Sequence, residues 1–342
     1  MEKGDILSSE VKHIDIKTFN STSIIEAFGE MAFQARNLHR AAMIYEKMLS
    51  DGDCSIILCL AGSIFSAGLK LVVRDMVRHE MVDAIVSTGA IVVDQDFFEA
   101  LGYHHYRGTP SADDEILRQR MIDRIYDTYI DEEELRECDM AVAGIADSMD
   151  PGPYSSQEFM LEMGRYLDEK RPGADSVVLE CFRKKVPIFV PALSDCSAGL
   201  GLVYHQFRRE AGRRVTIDSA KDFLDLTRIK MAAVETGLMM VGGGVPKNFA
   251  QDVSVAADLL GSDAGMHKYA IQITVADVRD GGLSGSTLRE AHSWGKVDDK
   301  YEQMVFSEAT IAFPLLVSHA YHAGGWRDRK PKEYVEMLRR ER

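Results

Sequence analysis

The sequence predicts an α/β fold, a doubly wound and mostly parallel sheet with an N-terminal helical extension, and three observations carry that expectation. Continuous apolar runs of strand length recur along the chain, at 55–60, 82–88, 186–192, 237–241 and 269–275. A strand buried on both faces reads as such a run, because neither face meets water. Helical patterns separate the runs, and strands alternating with helices imply parallel pairing. Most runs also end in turns rich in glycine, serine or aspartate, at the sheet edge where open α/β sheets bind their ligands.

Taken in order, residues 21–49 predict one long amphipathic helix, with Ile24, Ile25, Phe28, Met31, Leu38, Ala42 and Tyr45 at helical spacing. The turn Ser50-Asp51-Gly52-Asp53 is its stop. The run at 55–60 leads through Ala61-Gly62-Ser63 into a helical pattern over 68–78, a strand–glycine turn–helix unit. The run at 82–88 ends in Gly89-Ala90, and 141–145 is a weaker strand candidate. The loop at 193–199 follows 186–192, the triplet Gly242-Gly243-Gly244 follows 237–241, and 269–275 ends near Asp280-Gly281. The polar stretch 97–137 reads as helices and loops covering the site. No linker or repeat divides the chain. The expected organisation is therefore an extension over 1–20, one catalytic domain over 21–325 and a tail over 326–342.

Acids number 54 against 40 lysines and arginines, a net charge of −14. A nucleic-acid surface would need a basic stripe, whereas an acidic field raises the local concentration of cationic small molecules. The five cysteines form no CxxC pair, which predicts reduced thiols in a cytoplasmic protein. No apolar run approaches the ~18 residues of a membrane span, and the first residues do not resemble a signal peptide. His104-His105 lack a matching cluster of acids or thiols, so no metal is expected. His205 and His319, in apolar helical surroundings, read as hydrogen-bonded core groups.

Chemistry concentrates at the strand ends. The glycine triplet would let backbone approach a phosphate, although its spacing is not G-x-G-x-x-G and a plain tight turn fits as well. Thr88, Asp195, Ser197, Ser63, Ser66 and Asp280 all follow predicted strands. Each could cap a helix; as a set converging on one edge they suit a ligand with hydroxyls, such as a dinucleotide ribose. Glu290-Ala-His-Ser-Trp-Gly-Lys296 follows a flexible loop, and Thr287 with Glu290 has capping-box spacing. A lysine beside a tryptophan in a glycine-rich site can be desolvated, exposing a neutral amine suited to imine chemistry.

That heptapeptide resembles the active-site lysine motif of the deoxyhypusine synthases. Ile25-Glu-Ala-Phe-Gly29 with Phe33-Gln-Ala35, Met81-Val-Asp-Ala-Ile-Val86, Pro187-Ile-Phe-Val-Pro-Ala-Leu193 with Asp195, Gly242-Gly-Gly-Val245 with Lys247, and Ala312-Phe-Pro-Leu-Leu-Val317 are similar to that family in the same order. The resemblance spans roughly residues 20 to 320. It implies a doubly wound domain assembled as a homotetramer with sites at subunit interfaces. It also implies NAD as cofactor, oxidising spermidine to an imine whose butylamine fragment is captured by a lysine. The fragment then passes to an acceptor amine, either a lysine of a translation initiation factor or free putrescine, as in homospermidine synthesis. On this resemblance Lys296 is the covalent lysine, and Trp294 and Glu290 line the amine tunnel. Thr88, Asp195, Gly242, Gly244, Ala276 and Asp280 fall at NAD-facing positions, with Ser66 and Ser284 in the same loops.

The chain also departs from the family pattern at substrate-facing positions. Gly199-Leu200 stands where the family has Gly-Asp, Asn248 where it has a catalytic histidine, and Asp252 where it has asparagine. Gln272 replaces a tyrosine and Leu283 an amine-binding acid. The lysine and nucleotide machinery is kept while the polyamine cradle is rewritten. That predicts an altered donor or acceptor, with Asp252 or Asp127 as replacement ammonium anchor and His292 in place of the missing histidine.

Overall fold

The structure, a computed structural model, describes residues 2–340. Six strands form the central sheet: β1 (Cys54–Leu60), β2 (Ala84–Ser87), β3 (Ile188–Phe189), β4 (Glu235–Val241), β5 (Tyr269–Thr274) and β6 (Glu302–Phe306). Their order is β6-β5-β4-β1-β2-β3, and every pair is parallel. The chain winds outward from β1 to β3, returns to β4 beside β1, and winds outward the other way. This is the doubly wound arrangement, with its switch point between β1 and β4.

Helices cover both faces, and the strands show why their sequences are apolar at every position. Ile56, Leu58 and Leu60 of β1 enter one core, while Ile57 and Cys59 enter the other. In β4, Met239 and Val241 face the first core, and Leu238 and Met240 the second. Edge strands are less legible. Only Ile188–Phe189 of the 186–192 run joins the ladder, since Pro187 and Pro191 have no N–H to give it. β6, half-exposed and opening on Glu302-Gln303, has no apolar run to announce it.

Several expectations need correction. Residues 21–49 form two helices, Thr22–Gly29 and Phe33–Ser50. The second folds back on the first: His39 Nδ1 lies 3.0 Å from the Ile25 carbonyl. Its ring fills the space beside Gly29, where a Cβ would lie 3.1 Å away. The candidate strand at 141–145 lies inside the helix Glu132–Ser148, whose N-cap Asp131 accepts from the Glu133 and Glu134 amides. The acidic first turn suits the helix dipole, and Cys138, Val142, Ile145 and Ala146 are buried at helical spacing.

The stretch 97–137 contains a three-stranded antiparallel sheet as well as helix and loop, with Thr128–Asp131 between Tyr106–Arg107 and Ile122–Ile125. It carries the N-terminal segment: Arg107 N donates to Ser9 O at 2.6 Å, and Lys3 pairs with Asp131 at 2.6 Å. The segment 326–340, expected as a tail, packs against the core. Trp326 stacks on Tyr321, and Tyr334, Val335 and Leu338 are buried in the helix Tyr334–Arg340. Residues 341 and 342 of the expected tail lie outside the described residues. Among the described residues no helix is long and apolar enough to cross a membrane.

Candidate active site

At the switch point the turns after β1 and β4 face each other. Ala61 N donates to Val241 O at 2.9 Å, and a Cβ on Gly242 would lie 2.9 Å from the Ala61 carbonyl oxygen. Gly242 and Gly244 have φ of 80° and 60°, the left-handed region that favours glycine. Gly243 is extended, but a Cβ there would lie 2.5 Å from Ser284 Cα. The Gly244 amide donates to Ser284 Oγ at 2.9 Å, starting the sixteen-residue helix Gly244–Leu259. A cavity of about 420 Å³ opens here, bounded by Gly62, Ser63, Gly242, Gly243, Ala276, Ser284 and Glu308.

Lys296 is presented by a short helix with a defined start and stop. Thr287 Oγ1 accepts from Glu290 N at 3.1 Å, and Glu290 Oε2 accepts from Thr287 N at 2.5 Å, completing the capping box read in the sequence. Gly295, at φ 71°, ends the helix. Lys296 N reaches back to Ala291 O at 3.0 Å, the six-to-one bond of a glycine-terminated helix. The Lys296 carbonyl accepts from His267 N at 2.9 Å, and His292 Nδ1 lies 2.9 Å from Val297 O. His292 thus clamps the backbone behind the lysine.

The Lys296 side chain, 13% exposed, enters a second cavity of about 750 Å³. Its Nζ lies 2.6 Å from Asp252 Oδ1 and 3.2 Å from Asn248 Oδ1. Asn248 Nδ2 donates to Asp252 Oδ2 at 2.6 Å, closing a three-residue ring around the amine. The Trp294 ring centroid is 5.3 Å from Nζ, within cation–π range. Phe223, Val255, Leu259 and Leu283 supply apolar wall, and Glu290 lines the rim. Its carboxyl is held below the usual range, chiefly by the Thr287 amide of its own cap.

The two cavities share the loop 280–286. Ser284 faces the glycine cavity, while Gly281, Leu283 and Ser286 face the lysine cavity. Gln272 holds this loop and does not line the amine cavity: fully buried, its Nε2 donates to Gly242 O at 2.9 Å and Ser284 O at 3.0 Å. Lys247, which the sequence reading left without a role, is completely buried and donates to the Ser286 carbonyl at 2.5 Å. Burial pushes its amine down to about 8, with Glu290 opposing the shift. The signal available beforehand was a lysine placed next to Asn248 inside an apolar helix face.

Other expected positions are more dispersed. Thr88 and Asp195 follow β2 and β3, farther along the same sheet edge. Asp195 is exposed, and Thr88 Oγ1 is buried with no hydrogen-bond partner among the described residues. Ser66 is buried, its Oγ donating to Ser63 O at 2.8 Å, and it braces the turn after β1. Asp280 accepts from the Gly282 amide at 2.6 Å within the shared loop. Asp127 and Leu200 do not line the lysine cavity. His205, buried, pairs with Asp147 at 2.5 Å, and His319 with Glu46 at 2.5 Å. Among the described residues no three His, Cys, Asp or Glu side chains gather as a metal site, and all five cysteines are unpaired.

Comparison with known proteins agrees with this architecture. The chain is 58% identical over 339 residues to a deoxyhypusine synthase-like protein of Chlorobaculum parvum, covering 99% of this chain and 97% of the relative. It is 54% identical over 340 residues to a deoxyhypusine synthase-like protein of Coxiella burnetii, covering 99% and 96%. Its fold matches the crystal structure of a candidate deoxyhypusine synthase from Entamoeba histolytica with a TM-score of 0.60 at 21% identity, covering 91% of this chain and 97% of that one. The deoxyhypusine synthase family profile matches residues 23–320, and the chain belongs to the deoxyhypusine synthase family.

Proposed function

We propose that the chain is an NAD-dependent transferase that moves an aminobutyl-type fragment from a polyamine-like donor to an acceptor amine, with Lys296 carrying the fragment as an imine. The observation that carries this reading is one lysine amine in an apolar-walled cavity, separated by a single loop from a glycine-lined cavity at the sheet switch point. The glycine cavity fits a dinucleotide. Gly243 brings backbone close, the helix Gly244–Leu259 starts beside it, and the Thr88 hydroxyl, without a partner among the described residues, lies along the same edge. NAD, when bound, supplies oxidation of the donor's secondary amine and the later reduction of the product.

The remaining chemistry falls to the chain. Lys296 attacks the oxidised donor, the first amine departs, and an acceptor amine then displaces the lysine. Trp294 and Glu290 suit an ammonium group, by its attraction to a ring face and to a carboxylate. Leu283, Val255 and Leu259 suit methylenes. An apolar Leu283 where the family has an acid favours a donor or acceptor other than the usual pair, with a free amine such as putrescine ahead of a protein lysine.

A homotetramer is part of this reading. Leu259 and Trp294, both on the cavity wall, are 87% and 70% exposed, and a second copy would cover them. The unpaired thiols suit a reducing cytoplasm. The test is incubation with NAD and a panel of amines (spermidine, putrescine and longer or guanidinylated amines), followed by borohydride and peptide mass analysis. One amine-derived mass is expected on the Lys296 peptide, with none after Lys296→Arg, whose guanidinium stays protonated. Undiminished transfer by Lys296→Arg would refute the reading.

A further inference from the structure

We infer that Asp252 is the proton carrier of the amine-transfer step, taking a proton from Lys296 and delivering it to the departing amine. The inference rests on the transferase reading above and assigns a catalytic role to a residue expected, from sequence, only to anchor substrate. As an ammonium, a lysine has no lone pair and cannot attack; something must take its proton at the moment of reaction.

Among the described residues, two side chains hydrogen-bond or pair with Lys296 Nζ, Asp252 and Asn248. An amide oxygen such as that of Asn248 is not a useful base. The other groups nearby make no such contact: His292 does not line the cavity, Glu290 at its rim forms no ion pair with Nζ among the described residues, and Lys247 is tied to Ser286. That leaves the Asp252 carboxylate, with Oδ1 at 2.6 Å from the nitrogen.

Geometry holds this contact in place. Asn248 and Asp252 sit on successive turns of the sixteen-residue helix Gly244–Leu259. The Asn248 amide donates to Oδ2 of Asp252, which leaves Oδ1 directed at the lysine. The Lys296 backbone is locked by its bonds to Ala291 and His267. Both partners therefore stand on fixed backbone, the condition under which proximity lowers a barrier. Asp252, with 31% of its side chain exposed and on the cavity wall, can also reach an amine entering from solvent.

The step balances. Asp252 Oδ1 takes a proton from Nζ, whose lone pair bonds to the carbon of the donor iminium, and the C=N π pair returns to the donor nitrogen. Asp252 then moves protons from the lysine nitrogen to the donor nitrogen. The old C–N bond breaks with its pair on the leaving amine, and the lysine lone pair closes the new C=N bond. Two protons have passed in turn from the lysine nitrogen to the donor nitrogen, which leaves as a primary ammonium, and Asp252 ends as the carboxylate it began. The carboxylic acid exists only in passage, so a weak base suffices.

The experiment is a single turnover of the full-length protein with NAD and its amine donor, following reduced nicotinamide by absorbance and the borohydride-trapped Lys296 adduct by mass. In Asp252→Asn, adduct formation should slow about 100-fold or more, and by a larger factor than nicotinamide reduction. The mutant's adduct rate should rise steeply with pH, as the free-amine fraction grows, and be partly restored by acetate; Asp252→Glu should recover part of the loss. An adduct rate in Asp252→Asn within twofold of wild type, or a loss equal at every pH and deaf to acetate, would overturn the role and leave Asp252 a structural pair. If wild type itself yields neither signal with any amine, the transferase reading falls and takes this role with it. Both signals in wild type with an unimpaired mutant would sink the role of Asp252 alone.

Discussion

The Asp83 carboxylate meets the Arg329 guanidinium at 2.5 Å across 246 residues of chain, with 3% of each side chain exposed. Burial pushes the Asp83 carboxyl up, and Arg329 opposes that shift. Asp83 also accepts from the Ile56 amide at 2.7 Å, and Arg329 donates to the Glu80 carbonyl at 2.7 Å. The pair therefore joins the C-terminal segment to β1 and to the approach to β2. Removing one partner leaves a buried charge uncompensated, so Arg329→Leu should destabilise the fold by about 3–5 kcal/mol. The measurement is the urea midpoint; a shift worth under about 1 kcal/mol would show the segment to be dispensable.

Gly243→Ala tests the glycine cavity. The new Cβ would meet Ser284 Cα at 2.5 Å, backbone that can yield only by moving the loop shared by both cavities. NAD affinity by calorimetry should fall by about tenfold or more, roughly 1.4 kcal/mol. Unchanged affinity would place the nucleotide elsewhere on the sheet edge.

Lys247→Met separates stability from activity. The buried amine is pushed down to about 8 by desolvation, and an apolar side chain of similar volume escapes that cost. The thermal midpoint should hold or rise. Meanwhile the Ser286 carbonyl loses its donor and the loop facing Lys296 loosens, so adduct formation should slow about tenfold. A lower midpoint with full activity would make Lys247 purely structural.

Asp222 gives a pH signature in the stability of the fold. It is fully buried, accepts from the Gln157 amide at 3.3 Å, and among the described residues has no hydrogen-bond partner for Oδ2. Burial pushes its carboxyl up to about 7. Unfolded, it would ionise near the ordinary value of about 3.9. Between those values the folded chain binds more protons than the unfolded one, so stability is present at low pH and is lost as pH rises toward 7. The span corresponds to about 3–4 kcal/mol at most. Asp222→Asn should remove this slope and be more stable than wild type at pH 8. Denaturation midpoints across pH 5–8 that run parallel in the two proteins would contradict it.

The central strands were legible because β1, β4 and β5 are buried on both faces, and that burial writes apolar residues at every position. The capping box at Thr287 and Glu290 was legible for a similar reason: it is a local device, complete within four residues. Where local patterns were ambiguous the sequence misled. Ala141 to Ile145 could alternate as a strand or wind as a helix, and the Asp131 cap with its acidic first turn decided for helix. The break after Gly29 depends on His39 folding back to the Ile25 carbonyl, a contact that no periodicity contains.

By itself, then, the sequence determined the doubly wound class and the glycine turn at the switch point, and it marked Lys296 as the amine of the proposed transfer. Each of these is encoded by neighbours along the chain. Only the tertiary structure decided what surrounds that amine. The Asp252 carboxylate on Lys296, the Asn248 ring, the buried Lys247 on Ser286 and the Gln272 brace on the 280–286 loop all join segments separated in sequence. Such pairings arise when packing brings the helix Gly244–Leu259 against the loop 280–286 and the 288–296 turn. Charge placement at a site follows from that packing, because an ion pair or buried amine is defined by distance in space and by exclusion of water.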